Sequence, residues 1–136
     1  MPYKVFISHG ADDTWLAAQM GHCIEEAGCT TFLDVRDIAK GADFKAVVKG
    51  ELSQSAELVA LFTPWSAKRS WVWIELGAAW VQGQPVVAVF HGMWISDLRA
   101  GEQGAAILED INAVRLNDFD AYLEQLKARG TAGGIA

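Results

Sequence analysis

The segment from Leu58 to Trp80, LVALFTPWSAKRSWVWIELGAAW, contains two apolar runs separated by a short polar break. The first run, LVALF, has the length and composition of a buried β-strand, which we predict at Glu57–Phe62, and Thr63-Pro64 ends it. The second run predicts a helix from Trp71 to about Gln82. One acid, Glu75, lies within that helix among apolar side chains, and the burial of an unpaired charge is costly. Glu75 therefore faces either water or a pocket, and the functional interpretation depends on which.

On both sides of this segment, short β-rich runs alternate with runs of helical periodicity. The remaining strands are predicted at Tyr3–Ser8, Thr30–Leu33, Pro85–Phe90 and Asn112–Leu116. The remaining helices are predicted after an N-cap at Asp12 or Asp13, from Phe44 to Leu52, and from Phe119 to Arg129. Because strands one, three and four are apolar on both faces, the pattern predicts an α/β fold with helices on both sides of a parallel sheet. Five such strands favour a flavodoxin-like, doubly wound sheet in the order 2-1-3-4-5.

The length of the chain, 136 residues, is typical of one domain, which we predict to cover residues 1–129. Residues 130–136, GTAGGIA, contain no core-forming side chains and are predicted to form a flexible tail or the start of a linker. The formal net charge of -6 argues against a protein that binds nucleic acid or a membrane directly, because an anionic partner needs a basic surface.

Two further features concern metals and location. The two cysteines, Cys23 and Cys29, have no metal-binding spacing, so no metal site is predicted. No apolar run reaches the roughly 18 residues that a membrane-spanning helix needs. The chain shows no signal peptide before its first strand, so the expected location is the cytoplasm.

In a doubly wound sheet, ligands bind beyond the carboxyl ends of the strands, between strands one and three, where the strand order reverses. This rule selects the loops Ser8–Asp13 and Thr63–Ser70, and the ten-residue loop Asp34–Asp43 lies near enough to cover them. Trp71 and Glu75 are four residues apart and share one face of the following helix. Four loop cations near a helix N-terminus favour an anionic ligand such as a phosphate: Arg36, Lys40, Lys68 and Arg69.

The same residues exclude several classes of protein. Ser8 has no evident His and Asp partners, which argues against a hydrolase triad. The chain contains no GxGxxG or Walker motif, so neither standard dinucleotide binding nor P-loop binding is supported. A response-regulator receiver needs a phosphoacceptor Asp at the end of strand three, where this chain has Thr63-Pro64. From the pattern alone, Trp71 also fits a core aromatic, and Glu75 also fits a solvated acid.

Four segments resemble the successive sequence boxes of a TIR (Toll/interleukin-1 receptor) domain of bacterial type: KVFISHGADD, FLDVRDIAKGADF, SAELVALFTPWSAKRSWVWIELGAAW and QPVVAVF. The resemblance covers roughly residues 3–91. It implies one of two functions, because TIR domains include signalling scaffolds and enzymes that cleave NAD+ at the nicotinamide–ribose bond. In the enzymatic members the catalytic residue is the glutamate of a W-x-x-x-E helix, which falls on Glu75 with Trp71 as its motif partner.

The resemblance also implies roles for the loops. The loop after the first strand lines the substrate pocket and here contains Ser8, His9 and Gly10, whereas many members have Tyr or Ala followed by Ser at the last two positions. The loop Asp34–Asp43 matches the BB loop, which gates the site and makes TIR–TIR contacts. The implied interface residues are Asp37, Ile38, Ala39, Lys40 and Gly41. Among the loop cations, Lys68, Arg69, Arg36 or Lys40 would meet the pyrophosphate of NAD+.

Cleavage of NAD+ suits a single carboxylate. Nicotinamide leaves a cationic pyridinium as a neutral molecule, so it needs no general acid, whereas ordinary glycosidases use two carboxylates. Glu75 would hold the ribose hydroxyls and stabilise the oxocarbenium-like charge, with attack on the anomeric carbon as a second role. The sequence thus predicts an NAD+ glycohydrolase that releases nicotinamide and ADP-ribose or a cyclic isomer. Self-association with other TIR domains and a role in antiphage defence are also expected; NAD+ is the substrate, and no cofactor is predicted.

Two alternatives remain open. The first is a TIR scaffold that signals through TIR–TIR contacts without catalysis, although the intact W-x-x-x-E motif favours the enzyme. The second is a glycosyl-transfer enzyme of similar sheet order, such as a nucleoside deoxyribosyltransferase-like protein, which also uses a glutamate. The D-I-x-x-G loop and the S-x-W-V box of this chain fit a TIR domain better.

Overall fold

The computed structural model describes residues 3–33, 44–99 and 110–132. Its five strands form one parallel sheet in the order β2-β1-β3-β4-β5, which confirms the predicted flavodoxin-like, doubly wound α/β fold. The strands are β1 (Lys4–Ser8), β2 (Thr30–Leu33), β3 (Glu57–Phe62), β4 (Val86–Phe90) and β5 (Asn112–Arg115). The α-helices within the described residues are α1 (Thr14–Glu26), α2 (Phe44–Gln54), α3 (Ser70–Val81), α4 (Ile95–Arg99) and α5 (Phe119–Ala132).

Alternating side chains along the strands divide the core into two layers, one on each face of the sheet. The layer shared with α2 and α3 includes Phe6, Leu58, Phe62 and Phe90. The layer shared with α1 and α5 includes Val5, Ile7, Val59 and Leu61. Every residue of β3 and of β4 is buried, as expected for central strands that helices cover on both faces.

The start of α1 has the predicted N-cap residue, but the acids there make different contacts from those of a helix cap. A 3-10 turn, Ala11–Asp13, precedes the helix, and Asp13 occupies the N-cap position. Asp13 is thus the N-cap residue, as predicted, but its side chain makes no capping hydrogen bond. Its carboxylate instead accepts a hydrogen bond from the Thr63 hydroxyl at 2.6 Å, and Asp12 pairs with Arg69 at 3.3 Å. The chain enters α1 through the 3-10 turn, so both carboxylates meet side chains of the loop after β3 instead of backbone N–H groups of the helix.

The closing helix α5 continues to Ala132 instead of ending at Arg129, so residues 130–132 belong to the helix and not to the predicted tail. Residues 133–136 lie outside the described residues. Among the helices in the described ranges, none is both long enough and apolar enough to cross a bilayer.

Candidate active site

Ser8 and Glu75 meet at the carboxyl edge of the sheet, on the face that α3 covers. Ser8 is the last residue of β1 and pairs with Ala60 of β3. Glu75 lies in α3 next to Leu76, which belongs to the core layer beneath that helix. The Ser8 hydroxyl donates a hydrogen bond to Glu75 Oε1 at 2.5 Å, and Glu75 is 1% exposed. Of the two orientations that the sequence allows, Glu75 therefore has the inward one.

Two tryptophans fix the helix that carries Glu75. Trp71 is partly buried and packs against the core layer beneath α3. Trp73 Nε1 donates a hydrogen bond to the Ala67 carbonyl oxygen at 2.9 Å, and its ring centroid lies 5.2 Å from that of Phe62. The first turns of α3 are thus held by the core and also by the loop after β3.

The loop after β1 approaches the loop after β3 closely. His9 and Gly10 are buried there, next to Ser8. A Cβ atom on Gly10 would lie 3.1 Å from Ser66 Cβ and 3.2 Å from Ser66 Cα, which is closer than ordinary van der Waals contact. Glycine at this position therefore allows the close approach of the two loops. Ser8, His9 and Gly10 lie at the same edge of the sheet as Glu75, and their binding of a substrate stays a prediction.

The predicted cations lie partly within the described residues. Lys68 and Arg69 are exposed in the loop between β3 and α3, and the Arg69 guanidinium pairs with the Asp12 carboxylate. Arg36 and Lys40 lie outside the described residues, so their approach to the site stays a prediction. The predicted interface residues also lie outside the described residues: Asp37, Ile38, Ala39, Lys40 and Gly41.

A cavity of about 410 Å³ opens at the same edge of the sheet, beyond β4 and β5. Its walls include His91, Trp94, Asp97, Arg115 and Asn117. The Arg115 guanidinium carbon lies 3.9 Å from the centroid of the Trp94 ring, which is a cation–π contact. No local motif marks this cavity. The signal that could have found it is the position of Arg115 at the carboxyl end of β5, since all strands of a parallel sheet end at one edge.

A second buried acid, Glu57, lies at the opposite, amino edge of the sheet. Its carboxylate accepts hydrogen bonds from the hydroxyls of Tyr3 (2.7 Å) and Tyr122 (2.6 Å) and from Nε and Nη2 of Arg129 (both 2.8 Å). Burial raises the pKa of Tyr122, and the charge and hydrogen bond of Glu57 raise it further. Burial lowers the pKa of Arg129, but the hydrogen bond and charge of Glu57 outweigh that effect and raise it. Glu57 therefore joins α5 to the sheet, far from Glu75.

Within residues 3–33, 44–99 and 110–132, no group of three or more His, Cys, Asp or Glu side chains is arranged to hold a metal ion. The described residues bring together a buried carboxylate, a hydroxyl that orients it, and two exposed cations in the adjoining loop. Such a carboxylate can stabilise positive charge that develops on a bound molecule, and the cations can attract an anionic group.

Comparison with solved structures shows the same fold in several proteins. The TIR domain of the Toll-related receptor TRR-2 from Hydra magnipapillata has a TM-score of 0.65 and 18% identity, over 98% of this chain and 98% of that one. The TIR domains of the activated Roq1 resistosome have a TM-score of 0.63 and 16% identity, over 93% of this chain and 96% of that one. The 2-deoxyribosyltransferase from Bacillus psychrosaccharolyticus has a TM-score of 0.64 and 12% identity, over 90% of this chain and 95% of that one.

At these sequence identities the structural likeness shows the fold alone. The receptor domain and the transferase share that fold. Comparison with curated proteins finds no match. The family model of the TIR domain, by contrast, matches residues 5–127, which is most of the chain. That match includes both the loop after β1 and the helix that carries Glu75. The chain therefore belongs to the TIR domain family.

Proposed function

We propose that this TIR domain is an NAD+ glycohydrolase in which Glu75 is the catalytic residue. The observation that supports this most is the oriented carboxylate: Glu75 is buried at the carboxyl edge of the sheet, and its Oε1 accepts a hydrogen bond from Ser8 at 2.5 Å. Doubly wound sheets bind their ligands at this edge. The W-x-x-x-E helix that the sequence resemblance associates with NAD+ cleavage is thus the helix that carries an oriented acid.

The proposed reaction breaks the bond between C1′ of the ribose and the pyridinium nitrogen. The electron pair of that bond goes to the nitrogen, so nicotinamide leaves as a neutral molecule without receiving a proton. Positive charge then develops on the ribose, where the Glu75 carboxylate stabilises it. Water adds to C1′ and loses a proton to give ADP-ribose, or a group within the ADP-ribose moiety adds instead and gives a cyclic isomer.

The surrounding residues have binding roles in this proposal. Trp71 forms part of the wall beside the nucleotide, and the loop after β1 lines the pocket. The exposed loop cations attract the pyrophosphate. The proposed substrate-binding residues are Ser8, His9, Gly10, Arg36, Lys40, Lys68, Arg69 and Trp71.

The burial of Glu75 supports activation by self-association. A carboxylate that is 1% exposed in the single chain is shielded from a dinucleotide, so the loops at this edge must move before NAD+ reaches it. Contacts between TIR domains through the loop Asp34–Asp43 would favour the open arrangement by binding it more tightly. The Roq1 structure is an activated assembly that recognises a pathogen effector. A role in antiphage defence in the cytoplasm is part of this proposal, and it rests on the sequence resemblance to bacterial TIR domains.

The burial of Glu75 also favours a second candidate function. An acid that serves only to accept a hydrogen bond from Ser8 would be structural, and the chain would then be a signalling scaffold that acts through TIR–TIR contacts. The two functions differ in what a change of Glu75 does. In the enzyme, Glu75→Gln abolishes NAD+ cleavage; in the scaffold, no cleavage exists and only changes in the interface loop alter signalling.

The test is nicotinamide release by the purified chain at high concentration, and again after fusion to an oligomerising partner. We expect release by the parent and a loss of at least about 100-fold in Glu75→Gln, which keeps the size of the side chain and removes its charge. Glu124→Gln, which changes an exposed acid of α5, is the matched control and should keep the activity of the parent. An enforced assembly of the parent that releases no nicotinamide would overturn the enzyme and leave the scaffold.

A further inference from the structure

We propose that Asp13 and Thr63 are positioning residues that set the contact between Ser8 and Glu75, a role that rests on the proposed function of Glu75. Asp13 ends the 3-10 turn after β1, and Thr63 directly follows β3. Thr63 Oγ1 donates a hydrogen bond to Asp13 Oδ2 at 2.6 Å, and both side chains are buried. This pair joins the two loops that lie at the candidate site.

The Thr63 hydroxyl also organises the turn that leads into α3. It accepts a hydrogen bond from the Ser66 backbone N–H at 3.2 Å, while Ser66 Oγ accepts one from the Thr63 backbone N–H at 2.8 Å. Ser66 Oγ in turn donates to the Leu61 carbonyl oxygen at 2.8 Å. The turn Ser66–Lys68 is thus bonded to the end of β3, and one hydroxyl connects that turn to Asp13.

Two hydrogen bonds therefore join the same two segments of the chain. The first segment runs from Ser8, the last residue of β1, to Asp13, and the segment that follows β3 supplies Thr63 and Glu75. The indole of Trp73 donates a hydrogen bond to the turn, so the turn is connected directly to α3. Loss of the Asp13–Thr63 bond would therefore change the distance between the Ser8 hydroxyl and the Glu75 carboxylate.

The burial of Asp13 is a further reason to assign it a specific role. A carboxylate removed from water is costly unless hydrogen bonds compensate its charge. Such charge-assisted bonds are short and directional, so they fix the geometry of the loops that they join. The neighbouring pair of Asp12 and Arg69 is about half exposed on both sides, where ion pairs contribute little. Asp13, and not Asp12, is therefore the acid that positions the site.

The test compares variants of the full chain. Thr63→Val removes the hydroxyl at nearly constant volume, and Thr63→Ser retains it. Thr14→Val is the matched control, because Thr14 Oγ1 donates to the Ala11 carbonyl oxygen at 2.9 Å at an exposed position after the same turn. Asp13→Asn keeps the shape of the side chain and removes its charge, so it provides a second variant if Thr63→Val does not fold.

The first readout is the NAD+ assay with clustered protein. We expect Thr63→Val to lower kcat about tenfold with KM within about twofold, because it displaces the catalytic carboxylate. Thr63→Ser and Thr14→Val should stay within about twofold of the parent. The second readout is the carboxyl 13C resonance of Glu75, assigned by its absence in Glu75→Gln. It should shift in Thr63→Val, shift less in Asp13→Asn, and stay in place in Thr14→Val.

A folded Thr63→Val variant with the kcat and the Glu75 resonance of the parent would overturn the positioning role. Equal losses of kcat in Thr63→Val and Thr63→Ser would also overturn it, because the hydroxyl would then be irrelevant. If the parent itself releases no nicotinamide, the proposed function fails, and the Glu75 resonance alone then decides the role of Asp13 and Thr63.

Discussion

The Ser8 hydroxyl donates a hydrogen bond of 2.5 Å to Glu75 Oε1, between residues 67 positions apart in the sequence. Both side chains are buried, so this bond replaces part of the hydration that the Glu75 carboxylate loses on folding. Hydrogen bonds to charged groups contribute about 1.5–3 kcal/mol to stability. The bond therefore orients Glu75 and also stabilises the folded chain.

A double-mutant cycle measures the contribution of this bond. We expect Ser8→Ala to lower the free energy of unfolding by about 1–3 kcal/mol, because a buried carboxylate loses a donor. In a Glu75→Met background, where the acceptor is gone, the same change should cost less than about 1 kcal/mol. Urea denaturation of the four proteins gives both values. Equal costs of Ser8→Ala in the two backgrounds would show that the side chains do not interact.

Gly10→Ala should destabilise the chain for a steric reason alone. Gly10 has φ -86° and ψ 158°, which alanine also adopts, but the added Cβ would lie 3.1 Å from Ser66 Cβ. Overpacking of this kind costs about 1–3 kcal/mol. Gly50→Ala in α2 is the matched control, because no atom of the described residues outside that helix turn lies within 4 Å of its added Cβ. It should gain about 0.5–1 kcal/mol from helix propensity. The measurement is the melting temperature of each variant, which should fall for Gly10→Ala and rise for Gly50→Ala. A shift in the same direction for both variants would contradict the prediction.

The sheet order could be predicted from the sequence, but the orientation of Glu75 could not. Apolar strands that alternate with helices allow few topologies, because parallel crossovers are right-handed and short. The helix α3, however, is apolar on most sides, and its Ile74 and Val81 are exposed. Its periodicity therefore does not tell which face is inward. The inward position of Glu75 follows from Ser8, which lies on a strand distant in the sequence.

The roles of Asp13 and Glu57 likewise depend on distant partners. The local pattern of Asp13 favours a helix cap, but its hydrogen-bond partner, Thr63, lies 50 positions away. Glu57 stands at the polar start of an otherwise apolar strand, and its charge partner, Arg129, lies 72 positions away. One sequence gives no signal for such pairs, because neither helical nor strand periodicity connects the two positions.

Arg129→Met should lower the free energy of unfolding by about 3 kcal/mol. The change leaves the fully buried Glu57 without its positive partner, and loss of one partner from a buried ion pair costs about 3–5 kcal/mol. We use the lower end of that range because the Arg129 side chain is 32% exposed, so water partly screens its charge. Lys127→Met removes an exposed pair with Glu124 from the same helix and should cost less than about 0.5 kcal/mol. If chemical denaturation gave equal losses of unfolding free energy for the two variants, the buried pair of Glu57 and Arg129 would contribute no more than an exposed pair.

Tyr122 makes the stability of the chain sensitive to alkaline pH. Burial, together with the charge and hydrogen bond of Glu57, raises the pKa of Tyr122 above the ordinary tyrosine value of about 10. The folded chain therefore holds the phenolic proton at pH values where the unfolded chain has lost it. The stability that this proton contributes is complete below about pH 10 and is lost as the pH rises, at about 1.4 kcal/mol per pH unit.

Tyr122→Phe removes this titration. At about pH 8 the variant should be less stable than the parent by about 1–2 kcal/mol, because Glu57 loses a donor. Above about pH 10 the free energy of unfolding should fall less steeply with pH for the variant than for the parent. The difference between the two slopes is up to about 1.4 kcal/mol per pH unit, so the two stability curves converge. Urea denaturation at intervals between about pH 8 and about pH 11 measures both effects. Parallel curves would mean that Tyr122 ionises alike in the folded and unfolded chains.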